Sequence, residues 1–505
     1  MSRPIAPMDL MFLLTETPNS PKHVGAVLLF DLPPLRKGAN EVVRRIVQDY
    51  RAAKPVAPFN YVAEMVGRTG PHWRVTHAID MDHHVQHVAM PAGSAYESFL
   101  RLIEDLHEPV MDRNRPAFKV WVIEGLPQNQ FALYFKIHHA IVDGMSAMMR
   151  ITGSMASSPD GAAPAPFYAL EMTRPAQQAP PSSAFRHLVS LNQAALRQTT
   201  ALKDLSVGLL RKAFDRLRSS ADRGSEPFRA PHTLLNQPIR SPRSFATLAL
   251  PLEEMRAVGK VYGGTINDVA ATIVDAGVHA YLKGVGHRAR KRLIALCPVS
   301  LRDADDTAAT TKASAIFAPM ASPNAGIEAR LQHVINSMGA GKEELRAMGK
   351  DAAMLYGLSA LGIGEAAGAT RIGRVTGHLA NFFLSNVPGS RAPLYLHGAR
   401  LAGVYPVSAV GAGIGLNVTL TSHDGAMGFG FVANGASLPH LSELAGQVQS
   451  AFDGLKQAAT RRAARATAAG SRSDGARAAT RTAAVRRGVA PRAGKRILSA
   501  GAASR

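Results

Sequence analysis

The chain has 505 residues, an apolar fraction of 46% and one cysteine, Cys297. That length exceeds a single ordinary core and predicts two domains plus extras, while the lone thiol excludes a disulfide framework within the chain and points to a reducing cytoplasm. The formal net charge is +21, of which +12 lies between Lys456 and Arg505, where thirteen Lys/Arg face one acid, Asp474.

No window of about 18–20 consecutive apolar residues occurs, so no membrane-spanning helix is predicted. The opening MSRPIAPMDLMFLL lacks the long apolar core and small-residue cleavage site of a signal peptide. Residues 24–30 predict a strand, and residues 40–51 have helical spacing. Residues 94–108 predict a helix with Ser94 as N-cap and Glu97 three residues on, a capping box. Residues 118–123 and 131–137 predict two strands, with Gly125 and Pro127 in a hairpin-like connection. Residues 144–155 predict a helix. Composition then changes: residues 157–183 are rich in Pro, Ala, Ser and Gln and predict an interdomain linker. One long helix or two are expected over 184–217. A new alternation follows, with strands over 246–250, 293–298, 382–385, 416–422 and 427–432. Its helices cover 252–261, 265–283, 327–346, 352–361 and 439–458.

The pattern is α/β, with a mixed sheet and helices in each half. It divides the chain into an N-terminal domain (1–156), a linker (157–183), a helical connector with a C-terminal domain (184–458), and a basic tail (459–505). The tail is rich in Ala, Arg and Gly, has few apolar anchors, and predicts disorder or weak helicity. Such a tail is either drawn to anionic surfaces or simply solvated.

Chemistry concentrates in His138-His139-Ala140-Ile141-Val142-Asp143-Gly144, directly after the predicted strand 131–137. Imidazole titrates near neutral pH, which suits a general base that takes a proton and returns it. Asp143 can accept a local hydrogen bond, and Gly144 permits a turn that a Cβ would hinder. Other candidates are weaker. His83, His84 and His87 have spacings that could hold a metal, but no Cys or acidic cluster completes a ligand set, so no metal is expected. Gly362-Ile363-Gly364 and Gly411-Ala412-Gly413-Ile414-Gly415 lack a full GxGxxG between strand and helix and predict turns or close packing.

The histidine segment resembles the HHxxxDG signature of the CoA-dependent acyltransferase superfamily. Further matches, in order, resemble the bacterial wax ester synthase/diacylglycerol acyltransferase family. They are Ala6-Pro7-Met8-Asp9-Leu10-Met11-Phe12-Leu13, His23-Val24-Gly25-Ala26, Thr265-Ile266-Asn267-Asp268-Val269, Pro298-Val299-Ser300-Leu301-Arg302 and Ser385-Asn386-Val387-Pro388-Gly389. The resemblance runs from about residue 5 to about residue 455. It implies two chloramphenicol-acetyltransferase-like domains, each a mixed sheet flanked by helices, with an active-site channel at their interface. It also implies an O-acyltransferase that moves a long acyl group from acyl-CoA, a substrate rather than a cofactor, to diacylglycerol or a long-chain alcohol.

By the same resemblance His139 is the general base. It deprotonates the hydroxyl, which attacks the thioester without an acyl-enzyme, and then neutralises the CoA thiolate. His138 holds the loop or lines the channel. Asp143 is structural, with Arg302 as candidate partner. Asn267 donates to the oxyanion, orients the acceptor or caps a helix, and Asp268 is structural. Ala117-Phe118 stands where the family carries Leu-Trp, which keeps an aromatic ring and loses an indole N–H donor. A cytoplasmic protein is expected, peripheral to membrane or lipid inclusions, with no nucleic-acid partner. Two rivals are a condensation-type acyltransferase with another acceptor, though the chain has no carrier domain, and a non-catalytic basic coat or nucleic-acid-binding protein.

Overall fold

The computed structural model describes residues 3–33, 39–65, 70–171, 229–300, 313–370 and 377–487. The chain forms two units, Met1–Leu455 and Lys456–Arg505. In the first half the strands are β1 (Arg3–Pro4), β2 (His23–Asp31), β3 (Tyr61–Glu64), β4 (His72–Val75), β5 (Val85–Ala89), β6 (Phe118–Leu126) and β7 (Gln130–His138). In the second they are β8 (Arg243–Pro251), β9 (Ile294–Ser300), β10 (Ala313–Pro319), β11 (Phe382–Val387), β12 (Tyr395–Leu396), β13 (Ala399–Val407), β14 (Leu416–His423) and β15 (Ala426–Asn434).

Two six-stranded sheets and one of three strands result, in the orders β12-β13-β2-β7-β6-β5, β10-β9-β11-β14-β15-β8 and β1-β4-β3. Both large sheets are mixed. In the first, β5 runs parallel to β6 while the other pairs are antiparallel. In the second, β11 is parallel to both β9 and β14. The expected mixed α/β architecture is therefore present. The expected hairpin-like pair is β6 and β7, antiparallel across the turn Pro127–Asn129.

Chain order and sheet membership diverge at one place. β12 and β13 come from the second half but complete the first sheet, with Val407 opposite Gly25 and Arg400 opposite Asp31. A division of the chain at residues 156 and 184 thus does not separate two closed sheets. β13 escaped prediction because Gly403 and Pro406 interrupt it, and both residue types count against a strand interior. A register shift falls between Leu401 and Gly403, and Pro406 is paired with Ala26. Two glycines of β15 allow β13 to approach. A Cβ on Gly428 would sit 2.1 Å from Val404 O, and one on Gly430 would sit 1.7 Å from Pro406 O.

β7 shows how a continuous apolar run serves a strand covered on both faces. Phe131, Leu133, Phe135 and Ile137 point into one core, with Phe30, Val43, Ile46 and Phe118. The alternate residues Ala132 and Tyr134 enter another, with Phe99, Trp121, Phe245 and Val432. The second core draws on both large sheets, so their mutual position rests on buried apolar surface, worth about 25 cal/mol per Å².

Three local expectations need correction. Helix Tyr96–His107 has Ala95 at its N-cap and no side-chain cap. Ser94 instead donates from its hydroxyl to Pro91 O at 2.7 Å, closing the preceding turn, so no capping box forms. The predicted linker is anchored as far as it is described, to residue 171: Phe167 and Tyr168 are buried, and Arg150 donates to Leu170 O at 2.8 Å. The rest of that linker and the helical stretch 184–217 lie outside the described residues. Finally, the last helix runs from Leu441 to Arg487, so residues 459–487 of the tail take the helical of the two expected alternatives, and the disordered one is corrected there. Alanine, the strongest helix former, outweighs the missing apolar anchors.

Candidate active site

β7 ends at His138 and a helix begins at Gly144, leaving five residues to turn between them. The turn is tied by its backbone. His138 N–H donates to Ala117 O at 2.9 Å, His139 N–H to Lys22 O at 2.8 Å, and Ile141 N–H to His138 O at 2.9 Å. Asp143 is the N-cap of helix Gly144–Gly153, its Oδ1 accepting from Ser146 N–H at 2.8 Å. A cap of this kind is worth about 1 kcal/mol. Asp143 also lines the cavity described below. Arg302, its expected partner, lies outside the described residues. Gly144 does not have left-handed backbone. What its small size provides is a wall of the cavity, where a Cβ would sit 3.4 Å from Val387 Cγ2.

The two histidines are held differently. His138 is buried, and its Nδ1 accepts from Ala140 N–H at 3.1 Å. That bond leaves the ring proton on Nε2, which lies 3.4 Å from Glu16 Oε1, within ion-pair range but not aligned as a hydrogen bond. Burial alone would raise the Glu16 carboxyl. His138, the Lys22 N–H and Arg113 outweigh it and hold the carboxyl down at about 2.

His139 faces the cavity and stacks on Phe12, with ring centroids 4.4 Å apart. Its Nδ1 is buried with no hydrogen-bond partner among the described residues. Burial holds the imidazole below its ordinary 6.5; the Asp143 carboxylate opposes that shift, and His138 and Lys22 reinforce it. A neutral imidazole at pH 7 is the form that accepts a proton.

The cavity has a volume of about 310 Å³ and takes its walls from both large sheets. Met8, Met11, Met145 and Met148 line it beside His139, and Leu296 and Phe383 line it from the second sheet. Methionine is flexible and polarisable, so such a lining adapts to apolar chains of different shape. Ile137, Ala147 and Leu361 also line it.

Two motifs far apart in sequence meet here. Asn386 Nδ2 donates to Asn267 Oδ1 at 2.7 Å, and Asn386 lines the cavity whereas Asn267 does not. Asn267 is not a helix cap. Thr265 caps helix Ile266–Gly284 in a full capping box with Asp268, which accounts for Asp268 structurally. Phe118 turns into the core rather than the cavity. It stacks on His84 at 4.5 Å and meets Phe59 and Tyr168 edge-on or tilted. Packing is thus what this aromatic position supplies. His84 Nδ1 bonds Phe118 O at 2.7 Å, and His87 Nε2 lies 3.1 Å from Glu124 Oε1. Glu16, Lys22 and Glu365 were not foreseen, because their partners are remote in sequence and only the fold brings them to the histidine loop.

A family model described as the wax ester synthase/diacylglycerol acyltransferase catalytic domain matches residues 5–270, and one for the C-terminal domain matches residues 311–456. The chain belongs to this family. Among its relatives, an O-acyltransferase of Acinetobacter baylyi is 32% identical over 447 residues, 88% of this chain and 94% of that one. A putative diacylglycerol O-acyltransferase of Mycobacterium tuberculosis is 30% identical over 488 residues, covering 90% and 98%. The solved wax ester synthase/diacylglycerol acyltransferase of Marinobacter aquaeolei superposes with a TM-score of 0.71 at 28% identity, covering 90% of this chain and all of that one. A starter condensation domain of rhizomide synthetase, 14% identical with a TM-score of 0.53 over 91% of this chain and 94% of that one, shares the fold alone.

Proposed function

We propose that this chain is an O-acyltransferase that moves a long-chain acyl group from acyl-CoA to the hydroxyl of diacylglycerol or of a long-chain alcohol. The observation that carries the reading is the His139 imidazole at the wall of an apolar cavity, held by burial below its ordinary range and with no hydrogen-bond partner to its Nδ1 among the described residues.

His139 takes the proton of the acceptor hydroxyl as its oxygen attacks the thioester carbonyl carbon. Negative charge builds on the carbonyl oxygen. Asn386 uses one amide N–H on Asn267 and turns the other toward that charge, so Asn386 is the donor and Asn267 the positioning residue. When the tetrahedral intermediate collapses, the carbon–sulfur bond breaks and the imidazolium returns its proton to the thiolate. The proton count closes without an acyl-enzyme or a cofactor. His138 and Asp143 act on the loop, one through Glu16 and Ala140, the other as helix cap.

Both acceptors are a hydroxyl on an apolar chain, and a methionine-rich lining admits either. Among the described residues no helix is long and apolar enough to cross a membrane. The basic tail supplies a peripheral attachment to anionic lipid surfaces by charge, with no nucleic-acid partner required.

The test is release of free CoA by purified protein given palmitoyl-CoA with dioleoylglycerol or hexadecanol, beside His139→Ala. Acceptor-dependent release that the variant loses, with triacylglycerol or wax ester as product, supports the reading. Folded protein releasing no more CoA than the variant, with either lipid, overturns it.

A further inference from the structure

The cavity holds a charged pair that the chemistry above does not use. Lys22 is 4% exposed and its Nζ lies 2.6 Å from Oε1 of Glu365, which is 19% exposed. The same Nζ donates to Ser20 Oγ at 2.9 Å. An ammonium has three N–H donors, so one has no partner among the described residues. Other polar groups of the cavity wall bond one another. Asn417 Nδ2 donates to Ala409 O at 2.7 Å, Thr419 Oγ1 to Asn417 Oδ1 at 2.9 Å, and Ser408 Oγ lies 2.8 Å from Thr419 Oγ1.

The space around the pair depends on a glycine. A Cβ on Gly411 would come within 2.7 Å of both Lys22 Nζ and Glu365 Oε1. Lys22 is also tied to the histidine loop, since its carbonyl oxygen accepts the His139 N–H. Lys22 therefore lines the same cavity as the base.

A buried donor left unmatched by a bound chain costs free energy, and more so when it is charged. A long-chain alcohol has one oxygen, which His139 engages, so it offers Lys22 only methylene groups. A diacylglycerol has ester carbonyls a few bonds from its free hydroxyl. We propose that Lys22, held by Glu365 in the space left by Gly411, binds an ester carbonyl of a glyceride acceptor and biases the enzyme toward diacylglycerol over plain alcohols. This inference rests on the acyltransferase reading above.

Matched acceptors separate the effect from overall activity: 1,2-dioctanoylglycerol and its 1,2-dioctyl ether analogue, which keeps the hydroxyl and chain length but has no carbonyl. Acyl transfer from palmitoyl-CoA is measured with each, for the full chain and for Lys22→Met, Glu365→Gln and Gly411→Ala. The native protein is expected to favour the diester in kcat/KM by about 10- to 100-fold, the discrimination of one charge-assisted hydrogen bond. Lys22→Met should bring the ratio to within about threefold of one, whatever its effect on the common rate, and Gly411→Ala should lower it with the charges still in place. A native ratio near one, or a ratio that survives Lys22→Met in folded protein, overturns the inference. Failure to acylate any hydroxyl, the diether and hexadecanol included, would instead overturn the acyltransferase reading itself.

Discussion

Replacing Glu16 by Gln tests whether charge holds the histidine loop. Burial pushes this carboxyl up, yet His138, the Lys22 N–H and Arg113 bring it from its ordinary 4.5 down to about 2. A displacement of that size favours the ionised carboxylate in the fold by about 3 kcal/mol. Its side chain is 2% exposed, so solvent screens little of this. Glutamine keeps an oxygen for the Lys22 N–H, which lies 2.9 Å from Oε1, so the expected loss is the charged share, about 2 kcal/mol at pH 7. Because the folded-state value is depressed, the contribution is complete above about pH 4.5 and is lost as pH falls through about 2. Urea denaturation of both proteins should give the full difference at pH 7 and less than half of it at pH 3. Acyl transfer should fall by about tenfold as the loop loosens. A difference that is equal at the two pH values, or absent at pH 7, would show that Glu16 serves as a neutral acceptor and refute the charge argument.

Three further outcomes are expected. Since burial lowers the His139 imidazole, kcat/KM should rise with pH and level off below histidine's ordinary 6.5, and an acid limb centred at or above 6.5 would exclude a buried base. Asn386→Ala should reduce kcat by about 100-fold, Asn267→Ala by less, and the double variant no more than Asn386→Ala alone; additive losses would mean that the two amides act separately. Gly430→Ala drives a Cβ against Pro406 O and should cost about 3 kcal/mol in a thermal or urea melt, whereas a cost below about 0.5 kcal/mol would mean that the sheets part easily.

Local signals carried most of what was legible. The apolar run 131–137 and the local hydrogen bond accepted by Asp143 both specify structure within a few residues, and each lies where the sequence put it, whereas the cap offered to Asn267 belongs to Thr265. The histidine loop was legible for the same reason, as a compact motif after a strand. The second ring of the site was not. Glu16 meets His138, Lys22 meets Glu365, and Asn386 meets Asn267 only after the chain has folded, and no spacing rule links such positions. Strand β13 was hidden by its own Gly403 and Pro406. Ser94 misled because a hydroxyl can close a turn as readily as cap a helix.

The borrowed edge of the first sheet has a consequence for biosynthesis. Until Val407 has left the ribosome, β2 has β7 on one side and an open row of N–H and C=O groups on the other. Such an edge is a template for a foreign strand, and pairing this remote in sequence is slow to form. The nascent first half should therefore need sheltering by chaperones, and residues 1–156 made alone should aggregate rather than fold. Supplying β13 as a synthetic peptide offers a way to rescue it.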